Sequence, residues 1–464
     1  MTQEFVKSQY ESKRDATFRS LLLIYAAIFL CKSILPSNIE TLKTTLSGTT
    51  DLAIGIDAAG YLLISTISIL FFGYYSEKLS EKYSIKKIFV ITQFGWVACF
   101  GLIALVPHFL YYLILDFIGA FFIGAFLPIA FAMIGDFYPP KERGVKFGWL
   151  SFGLIIGSGG GIIFGKLLGG LIPDIGWRLA YGLGFILGFL AVQGYFRIGI
   201  VPERGRAEPE FQDISGKIDY NYRLTFKSVK QLFKSKTIGA LLISVLISGV
   251  GTAALGVWAI NYFETVQLAA LGASAGFIAM LFYVIAGLGA LPGNILGGKL
   301  GDKYYREGKL KFRVLISIGG TVGGLFCMLG FYLIPFLSST PLEVALSSVL
   351  ILGLGFLGYL LASFPVGNQF AIYSEVCLPE ARSSANAFHG VCVNLGGVFG
   401  NLLFASVIAG NESLYQFAVA IALLFWFGSI VFWILPYFKY PKEAQKCREV
   451  LQIRRKQLDE INVQ

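Results

Sequence analysis

Two residues of opposite charge lie inside long apolar stretches of this sequence, and they are the first candidates for chemistry. Lys32 lies near the end of the first stretch, residues 17 to 37, and Asp116 near the start of the fourth, residues 109 to 136. A charge at the centre of a bilayer costs a few kcal/mol unless it is paired or hydrated. At a helical rise of ~1.5 Å per residue, both would lie roughly 6 to 10 Å below the same membrane surface. We therefore expect Lys32 and Asp116 to approach each other.

Three interpretations of this pair remain open. Lys32 and Asp116 could form a static ion pair between the first and fourth helices. They could instead form a site in which Lys32 meets a substrate anion while Asp116 exchanges a proton. In the third interpretation, both side chains extend to the membrane surface and keep their charges in water. Asp57 and Lys166 lie at comparable depths, and we expect them to extend to the surface or to rim an entrance.

The second half of the chain offers polar and aromatic groups rather than charges. Trp258 and Tyr262 lie one helical turn apart and could line a cavity. The imidazole of His389 can titrate in the physiological range. The alternatives are hydrogen bonds between helices for the amides and core or lipid contact for the rings. Six residues are thus second-half candidates for binding a substrate or coupling ion: Trp258, Asn261, Tyr262, Asn368, His389 and Asn394.

Twelve apolar stretches must position these residues. The chain has 464 residues, of which 55% are apolar and only 14% charged, against roughly 25% charged in soluble domains. Each stretch approaches or exceeds the about 20 residues that a membrane-spanning helix needs, whereas strands of a membrane barrel would be about ten residues long and alternating. We predict an all-α polytopic membrane protein with spans near residues 17–37, 52–76, 88–106, 109–136, 147–172, 178–199, 237–261, 268–296, 313–336, 344–368, 384–409 and 414–436.

The net charge of +10 indicates membrane topology rather than a nucleic-acid partner. Lys and Arg residues fall almost entirely in alternate loops, while the opposite loops hold only Lys43 and Arg178. Basic loops of membrane proteins face the cytoplasm, so this pattern predicts that both termini are cytoplasmic. Because the first residues are polar, we expect no cleavable signal peptide. The expected location is the plasma (inner) membrane.

An internal repeat relates the two halves of the chain. PPKERGVKFGWLSFGLIIGSGGGIIFG, after the fourth stretch, aligns with LPEARSSANAFHGVCVNLGGVFGNLLF, after the tenth. KLSEKYSIKK, after the second stretch, similarly matches GKLGDKYYREGKLKFR, after the eighth. This order is typical of the parallel repeats of secondary transporters. We predict two pseudo-symmetric six-helix bundles, residues 1–199 and 237–438, with a cytoplasmic linker at 200–236 and a cytoplasmic tail at 439–464.

Charged residues at the ends of the repeated segments predict a cytoplasmic gate. An exposed ion pair contributes only about 0 to 1 kcal/mol, so only a network of such pairs could hold the inner side shut. The alternative is that these charges only set the topology. The candidates are Glu81, Lys82, Lys86, Asp136 and Arg143 in the first half, and Asp302, Lys303, Arg313, Glu375 and Arg382 in the second.

A glycine recurs every four residues in the fifth stretch, at Gly153, Gly157, Gly161, Gly165 and Gly169. Helical residues four apart share a face, so this face carries no side chains and lets a neighbouring backbone approach closely. Gly396 and Gly400 repeat the feature in the second half. We predict tight helix packing at both faces.

These motifs resemble the major facilitator superfamily over the twelve apolar stretches. GKLGDKYY, from Gly298 to Tyr305, resembles the superfamily's signature G-x-L-x-D-[RK]-x, and PPKERG and the later GWR are also typical of it. The first-half copy, EKLSEKYSIKK, departs from the signature at Glu77, Glu81 and Ser84. The resemblance implies secondary transport by alternating access, in which two six-helix bundles rock about a central site bordered by the first and fourth helices.

Two further departures limit what the resemblance implies. The fifth stretch resembles the superfamily's antiporter motif, which ends G-P-x-x-G-G, but Lys166 replaces the proline and so removes the expected kink. Asp116 occupies a place where the fourth helix of the family commonly carries arginine. Antiport and family coupling rules are therefore not transferred. The resemblance also implies that the fifth helix packs against a helix of the other half.

The segment GVWAINYFETVQLAALGASAGF, together with IGSGGG, is similar to Spinster-like members, which implies lipid or organic-anion substrates. We expect a monomeric secondary transporter of a small or amphipathic organic solute in the lipid bilayer, with a proton or sodium as coupling ion if transport is coupled. A non-transporting receptor or scaffold and an uncoupled facilitator are the alternatives. The sequence contains no nucleotide-binding loop or metal-ligand cluster, so we expect no cofactor and no enzymatic activity.

Overall fold

A computed structural model describes residues 3–138, 140–172, 174–202, 234–377, 379–409 and 411–462, which are almost entirely helical. The helices up to residue 198 are α1 (Gln3–Lys32), α2 (Ile34–Ser37), α3 (Ile39–Thr45), α4 (Asp51–Lys82), α5 (Ile85–Ile103), α6 (Phe109–Gly124), α7 (Phe126–Phe137), α8 (Pro140–Leu171) and α9 (Gly176–Ile198). Those after residue 234 are α10 (Lys236–Tyr262), α11 (Ala275–Leu288), α12 (Ala290–Arg306), α13 (Lys311–Leu333), α14 (Pro341–Ala362), α15 (Phe364–Val376), α16 (Pro379–Ile408), α17 (Tyr415–Gly428) and α18 (Ile434–Asn462).

The predicted all-α polytopic fold is confirmed. In the part of the chain that the structure describes, 12 helical segments are long and apolar enough to cross a membrane. Several helices extend beyond the apolar stretches, because helix-forming Lys and Glu residues continue them into polar sequence. α4, for example, runs on to Lys82. α8 is unbroken from Pro140 to Leu171, as expected with Lys166 in place of a proline.

The chain divides into two compact units, Met1–Asn221 (unit 1) and Tyr222–Gln464 (unit 2). Each unit contains six of the candidate membrane spans.

The glycine face of α8 packs against α1 of the same unit. A Cβ atom at Gly157 would overlap the carbonyl oxygen of Ala26, and one at Gly161 would overlap that of Leu30. The predicted tight packing is present, and the partner of this glycine face is α1. The glycines let α8 lie directly on backbone carbonyls of α1. The remaining glycines of the face meet Leu22, Ser37 and Asn38.

Unit 2 repeats this contact between α16 and α10. A Cβ at Gly396 would overlap the carbonyl oxygen of Leu246, and one at Gly400 that of Val250. The contacted residues differ by 220 in both cases, 26 against 246 and 30 against 250, while the glycines differ by 239. The internal repeat of the sequence is therefore a repeat of helix contacts.

A second pair of contacts extends the repeat to the fourth helix of each unit. Gly119 of α6 faces Cys99 of α5, and Gly358 of α14 faces Cys327 of α13. The two glycines again differ by 239. Positions along α6 and α14 can therefore be matched residue by residue.

Lys43 and Arg178, the two basic residues of the opposite loops, join neighbouring segments of unit 1 by ion pairs and hydrogen bonds. Lys43 Nζ lies 2.9 Å from Glu40 Oε1 and 2.6 Å from Asp51 Oδ1. Burial would lower the pKa of Lys43, but the hydrogen bonds and charges of Asp51 and Glu40 outweigh it and raise this pKa above its ordinary value. Arg178 donates hydrogen bonds to the carbonyl oxygens of Ala104 and Val106, at 3.1 and 2.7 Å.

We predict that Gly161→Ala lowers the thermal unfolding midpoint of the purified protein, because the added methyl group would overlap the carbonyl of Leu30. Overpacking of this kind costs about 1 to 3 kcal/mol. Gly159→Ala is the matched control, because a Cβ added at Gly159 of the same helix would meet no neighbouring atom within 4 Å. That variant should be neutral or slightly stabilising, since alanine is the better helix former. Equal midpoints for the two variants would contradict close packing at Gly161.

Candidate functional site

Unit 1 contains a group of buried polar residues, here called the Lys32 cluster: Lys32, Asp57, Tyr61 and Asp116. Lys32 lies at the end of α1, Asp57 and Tyr61 lie one turn apart on α4, and Asp116 lies on α6. α4 and α6 touch at this level, because a Cβ at position 60 would overlap the ring of Phe117. Three membrane-spanning segments therefore bring these residues together.

Lys32 contacts an aromatic ring rather than a carboxylate. Its Nζ lies 3.9 Å from the centroid of the Tyr61 ring and 5.6 Å from that of Phe29. Among the described residues of unit 1, the ion pairs within 4 Å join Arg14 to Asp15 and Lys43 to its two acidic neighbours. Lys32 and Asp116 are within electrostatic range of each other, but they do not form a direct ion pair. Of the three interpretations, this geometry argues against the static ion pair, because the two side chains are not in contact.

Both carboxyl groups of the cluster are buried. Asp57 is 3% exposed and Asp116 5%, and the two lie within electrostatic range of each other. Asp57 Oδ1 and Tyr61 Oη are buried without a hydrogen-bond partner. We expected Asp57 at the surface or at the rim of an entrance, but the structure buries it. Asp57 and Tyr61 are separated by four residues, a spacing that places them on one helical face, and this spacing was the available sequence signal.

The charges of the Lys32 cluster have no counterpart in the second repeat. The offset of 220 between α1 and α10 matches Lys32 with Thr252, and the offset of 239 between α6 and α14 matches Asp116 with Gly355. Unit 2 builds the same helix contacts without these charges. The repeated helix contacts therefore do not depend on charges at these two positions in unit 2.

The candidates of unit 2 near the end of α10 lie in its interior. Trp258, Asn261 and Tyr262 are 0%, 1% and 0% exposed. Asn261 Nδ2 donates to Tyr415 Oη at 2.6 Å, and Tyr262 Oη donates to the carbonyl of Tyr332 at 2.6 Å. These contacts agree with the alternative of packing and interhelical hydrogen bonding, although Trp258 Nε1 and Asn261 Oδ1 are buried without a hydrogen-bond partner.

The remaining candidates of unit 2 have mixed surroundings. Asn368 is fully buried, and its Nδ2 donates to the carbonyl oxygens of Gly297 and Phe364 at 3.0 and 3.1 Å. His389 is half-buried beside Phe370, with ring centroids 4.8 Å apart, and its Nδ1 has no partner. Asn394 is half-buried on α16. The contacts described for Asn368 and His389 involve none of Trp258, Asn261 and Tyr262.

Three residues predicted for the gate, Asp302, Arg313 and Glu375, form a network with Tyr440 in unit 2, here called the Arg313 cluster. Arg313 Nη2 lies 2.7 Å from Asp302 Oδ1 and 3.3 Å from Glu375 Oε1. Tyr440 Oη donates a hydrogen bond to Glu375 Oε2. The side chains of Arg313 and Glu375 are only 4% and 16% exposed, so their contact is little screened by water, whereas Asp302 is 62% exposed. The network joins α12, α13, α15 and α18.

The remaining gate candidates are only partly described. Lys86 Nζ donates to the carbonyl oxygen of Gly199 at 2.6 Å, Asp136 is half-buried, and Lys303 is exposed. The side chains of Glu81, Lys82, Arg143 and Arg382 lie outside the part of the chain that is described.

The segment predicted as a tail begins by packing into unit 2. Tyr440 and Ala444 are 0% and 1% exposed and pack with residues of α10 and α13. Glu443 accepts hydrogen bonds from Ser235 Oγ at 2.5 Å and from the backbone amides of Lys236 and Thr237 at 3.1 and 3.3 Å. A carboxylate at a helix N-terminus is favoured by the helix dipole. No local pattern indicates this contact, because Ser235 and Glu443 are 208 residues apart.

We predict that Arg313→Gln lowers the thermal unfolding midpoint, because Glu375 would keep a largely buried charge without its guanidinium partner. Removing one partner of a buried pair costs about 3 to 5 kcal/mol, and the exposure of Asp302 places the expected loss at the lower end. Lys303→Gln removes the same charge from an exposed neighbour and is the control. If both variants unfold at the wild-type temperature, the Arg313 cluster does not stabilise unit 2.

Similar proteins agree with the fold and with the sequence motifs. The family model of the Major Facilitator Superfamily matches residues 21–400. Multidrug resistance protein MdtG of Rahnella sp. (strain Y9602) is 25% identical over 416 residues, which cover 88% of this chain and 90% of that protein. A homolog of the multi-drug resistance efflux pump PmrA, from Lactococcus lactis subsp. lactis (strain IL1403), is 24% identical over 365 residues, or 78% and 80% of the two chains.

Solved structures show the same architecture. A bacterial homolog of the human lysosomal transporter Spinster, inward-facing and unoccupied, matches with a TM-score of 0.65 at 16% identity, over 94% of this chain and 98% of that one. The nucleoside transporter NupG matches with a TM-score of 0.62 at 12% identity, over 93% and 98%. At these identities the likeness concerns the fold alone. Together with the family match over residues 21–400, it establishes that this chain belongs to the Major Facilitator Superfamily and is a multi-pass integral membrane protein.

Proposed function

We propose that this protein is a secondary transporter that moves a small or amphipathic organic solute by alternating access, with the Lys32 cluster as its substrate or coupling site. The observation that carries the proposal is the burial of Asp57 and Asp116 in a membrane-spanning unit without an ion pair. Each such charge costs a few kcal/mol in a bilayer, and intramembrane ionisable residues usually mark a pathway for a substrate or ion. The second repeat keeps the helix contacts without them.

The related proteins support the choice of an organic solute. Relatives in Rahnella and Lactococcus that match most of this chain carry names of multidrug resistance or efflux proteins. Their bacterial origin also supports the inner membrane as the location. The concentration of Lys and Arg in alternate loops supports cytoplasmic termini, which would place the Arg313 cluster at the cytoplasmic side.

The Lys32 cluster also offers groups for ion coupling. A buried carboxyl group can be neutralised by a proton, and the binding of that proton changes the charge of the site by one. We infer that Asp116 or Asp57 takes up a coupling proton, with sodium as the second candidate. The Arg313 cluster lies within unit 2, so we infer that it holds α12, α13, α15 and α18 in one arrangement while the bundles move.

The test of this function begins with a thermal-shift screen of the purified protein against sugars, amino acids, drugs and anionic lipids. A solute that raises the unfolding midpoint is then tested for uptake into proteoliposomes, with and without an imposed pH or sodium gradient. Accumulation above equilibrium supports coupled transport, and equilibration alone indicates a facilitator. Binding without flux across the panel would favour a receptor or scaffold and overturn the proposal.

We predict that Lys32→Ala and Asp116→Asn each reduce solute uptake at least about tenfold, an effect of about 1.4 kcal/mol, while expression and thermal midpoint stay close to wild type. The reason is that both residues belong to the site and neither is required by the repeated fold. Lys299→Ala, at an exposed position of α12, is the control for loss of a positive charge. Uptake at the wild-type rate in both cluster variants would exclude the Lys32 cluster as the transport site.

A further inference from the structure

The Lys32 cluster already holds a cation, and the manner of holding it indicates what else could bind. The ammonium of Lys32 lies 3.9 Å from the centroid of the Tyr61 ring and 5.6 Å from that of Phe29. The face of an aromatic ring attracts an ammonium through its quadrupole, and proteins bind quaternary ammonium ligands in this way. Lys32 is only half-buried, so part of its side chain remains accessible.

The cluster contains more acidic groups than basic ones. It has two carboxyl groups, those of Asp57 and Asp116, and the single ammonium of Lys32. That ammonium forms no direct ion pair with either of them, although Asp116 is in electrostatic range. In the state in which both carboxyl groups are ionised, the site carries one negative charge in excess, and a cation can balance it.

Two polar atoms of the cluster also lack partners. Asp57 Oδ1 and Tyr61 Oη are buried with no hydrogen bond, in side chains that are 3% and 6% exposed. Leaving a buried polar atom unsatisfied costs about 1 to 3 kcal/mol, and in native proteins such atoms are few and often indicate a ligand, water or ion. Both atoms lie on the face of α4 that carries the ring under Lys32.

We propose that the Lys32 cluster selects positively charged organic solutes, and that Lys32 is an internal substitute for the substrate's cationic group. The substrate cation takes the place of the lysine ammonium on the Tyr61 ring, in the field of Asp57 and Asp116, and Lys32 moves away. This inference rests on the proposed function and adds the charge class of the substrate. It replaces the expectation that Lys32 binds a substrate anion, because an anion would have to enter beside two carboxyl groups.

Two rigid ions of the same shape and opposite charge test the proposal. Tetraphenylphosphonium and tetraphenylborate are titrated into the purified full-length protein in detergent, and saturable binding is measured by calorimetry. Wild type should bind tetraphenylphosphonium. Lys32→Met should bind it about tenfold more tightly, because the competing internal cation is gone. Asp57→Asn and Asp116→Asn should each weaken its binding by about tenfold or more.

Matched variants separate these effects from general loss of charge or of structure. Lys299→Met makes the same substitution at an exposed position and should bind as wild type does. Tyr61→Phe keeps the ring but removes the unpaired hydroxyl, and it should weaken binding less than Tyr61→Leu, which removes the ring and should weaken binding several-fold. Thermal midpoints near wild type are required of each variant that enters the comparison.

Three results would overturn the cation site. One is saturable tetraphenylborate binding to wild type that disappears in Lys32→Met, since this would make Lys32 an anion ligand. Another is tetraphenylphosphonium affinity that is unchanged by Lys32→Met and by both carboxyl variants. The third is the absence of saturable tetraphenylphosphonium binding in wild type and in Lys32→Met.

Uptake measurements on the same preparations distinguish this inference from the proposed function. If cation binding follows the expected pattern but no solute crosses proteoliposome membranes, transport is wrong and the cation site stands. If the protein transports a neutral or anionic solute and binds no cation, transport stands and the cation site is wrong.

Discussion

Hydrocarbon offers no hydrogen-bond partner, and this constraint shapes the protein at every level. Backbone groups must be satisfied inside helices, so the described chain is almost entirely helical. Lipid tails are as apolar as leucine, so helices associate by close packing more than by hydrophobic burial. The glycines at 157 and 161 provide that packing in unit 1 by placing α8 on the carbonyls of α1, and those at 396 and 400 do so in unit 2.

The same constraint makes the few buried charges informative, and the two clusters respond to it differently. In the Arg313 cluster, a buried guanidinium contacts two carboxylates, and one of these accepts a tyrosine hydroxyl. In the Lys32 cluster, carboxyl groups are buried without ion pairs and two polar atoms remain unsatisfied. The ion pairs of the Arg313 cluster stabilise one arrangement of helices, even though Arg313 Nε is buried without a partner. The Lys32 cluster has no such ion pairs, and this difference is the basis for proposing it as the binding site.

The sequence predicted the fold well because membrane spans depend on local composition. Apolar length indicated twelve spans, and the repeat indicated their order. It also brought Asp302, Arg313 and Glu375 to one region, because their positions follow from helix ends. The glycine spacing predicted a smooth face, but spacing does not show which helix meets it. Tyr440 and Glu443 were missed because their contacts join segments that no local pattern relates, whereas Tyr61 was indicated only by its spacing from Asp57.

The candidate binding residues of unit 2 also show a limit of prediction from the sequence. Trp258 and Asn261 have the composition of a binding site, yet both are sealed inside the unit. An amide or indole in an apolar helix indicates a hydrogen-bonding need without saying whether protein or ligand meets it. Asp57 shows the converse, because its charge suggested a position near water and the structure buries it.

The cap that Glu443 provides has a consequence for the order of events during synthesis. Ser235 leaves the ribosome 208 residues before Glu443, which corresponds to roughly 10 to 40 seconds at ordinary translation rates of about 5 to 20 residues per second. During that interval the backbone amides of Lys236 and Thr237 lack the carboxylate that accepts from them in the folded unit. The contact between the first and the last helix of unit 2 can therefore form only after the whole chain up to Glu443 has been made.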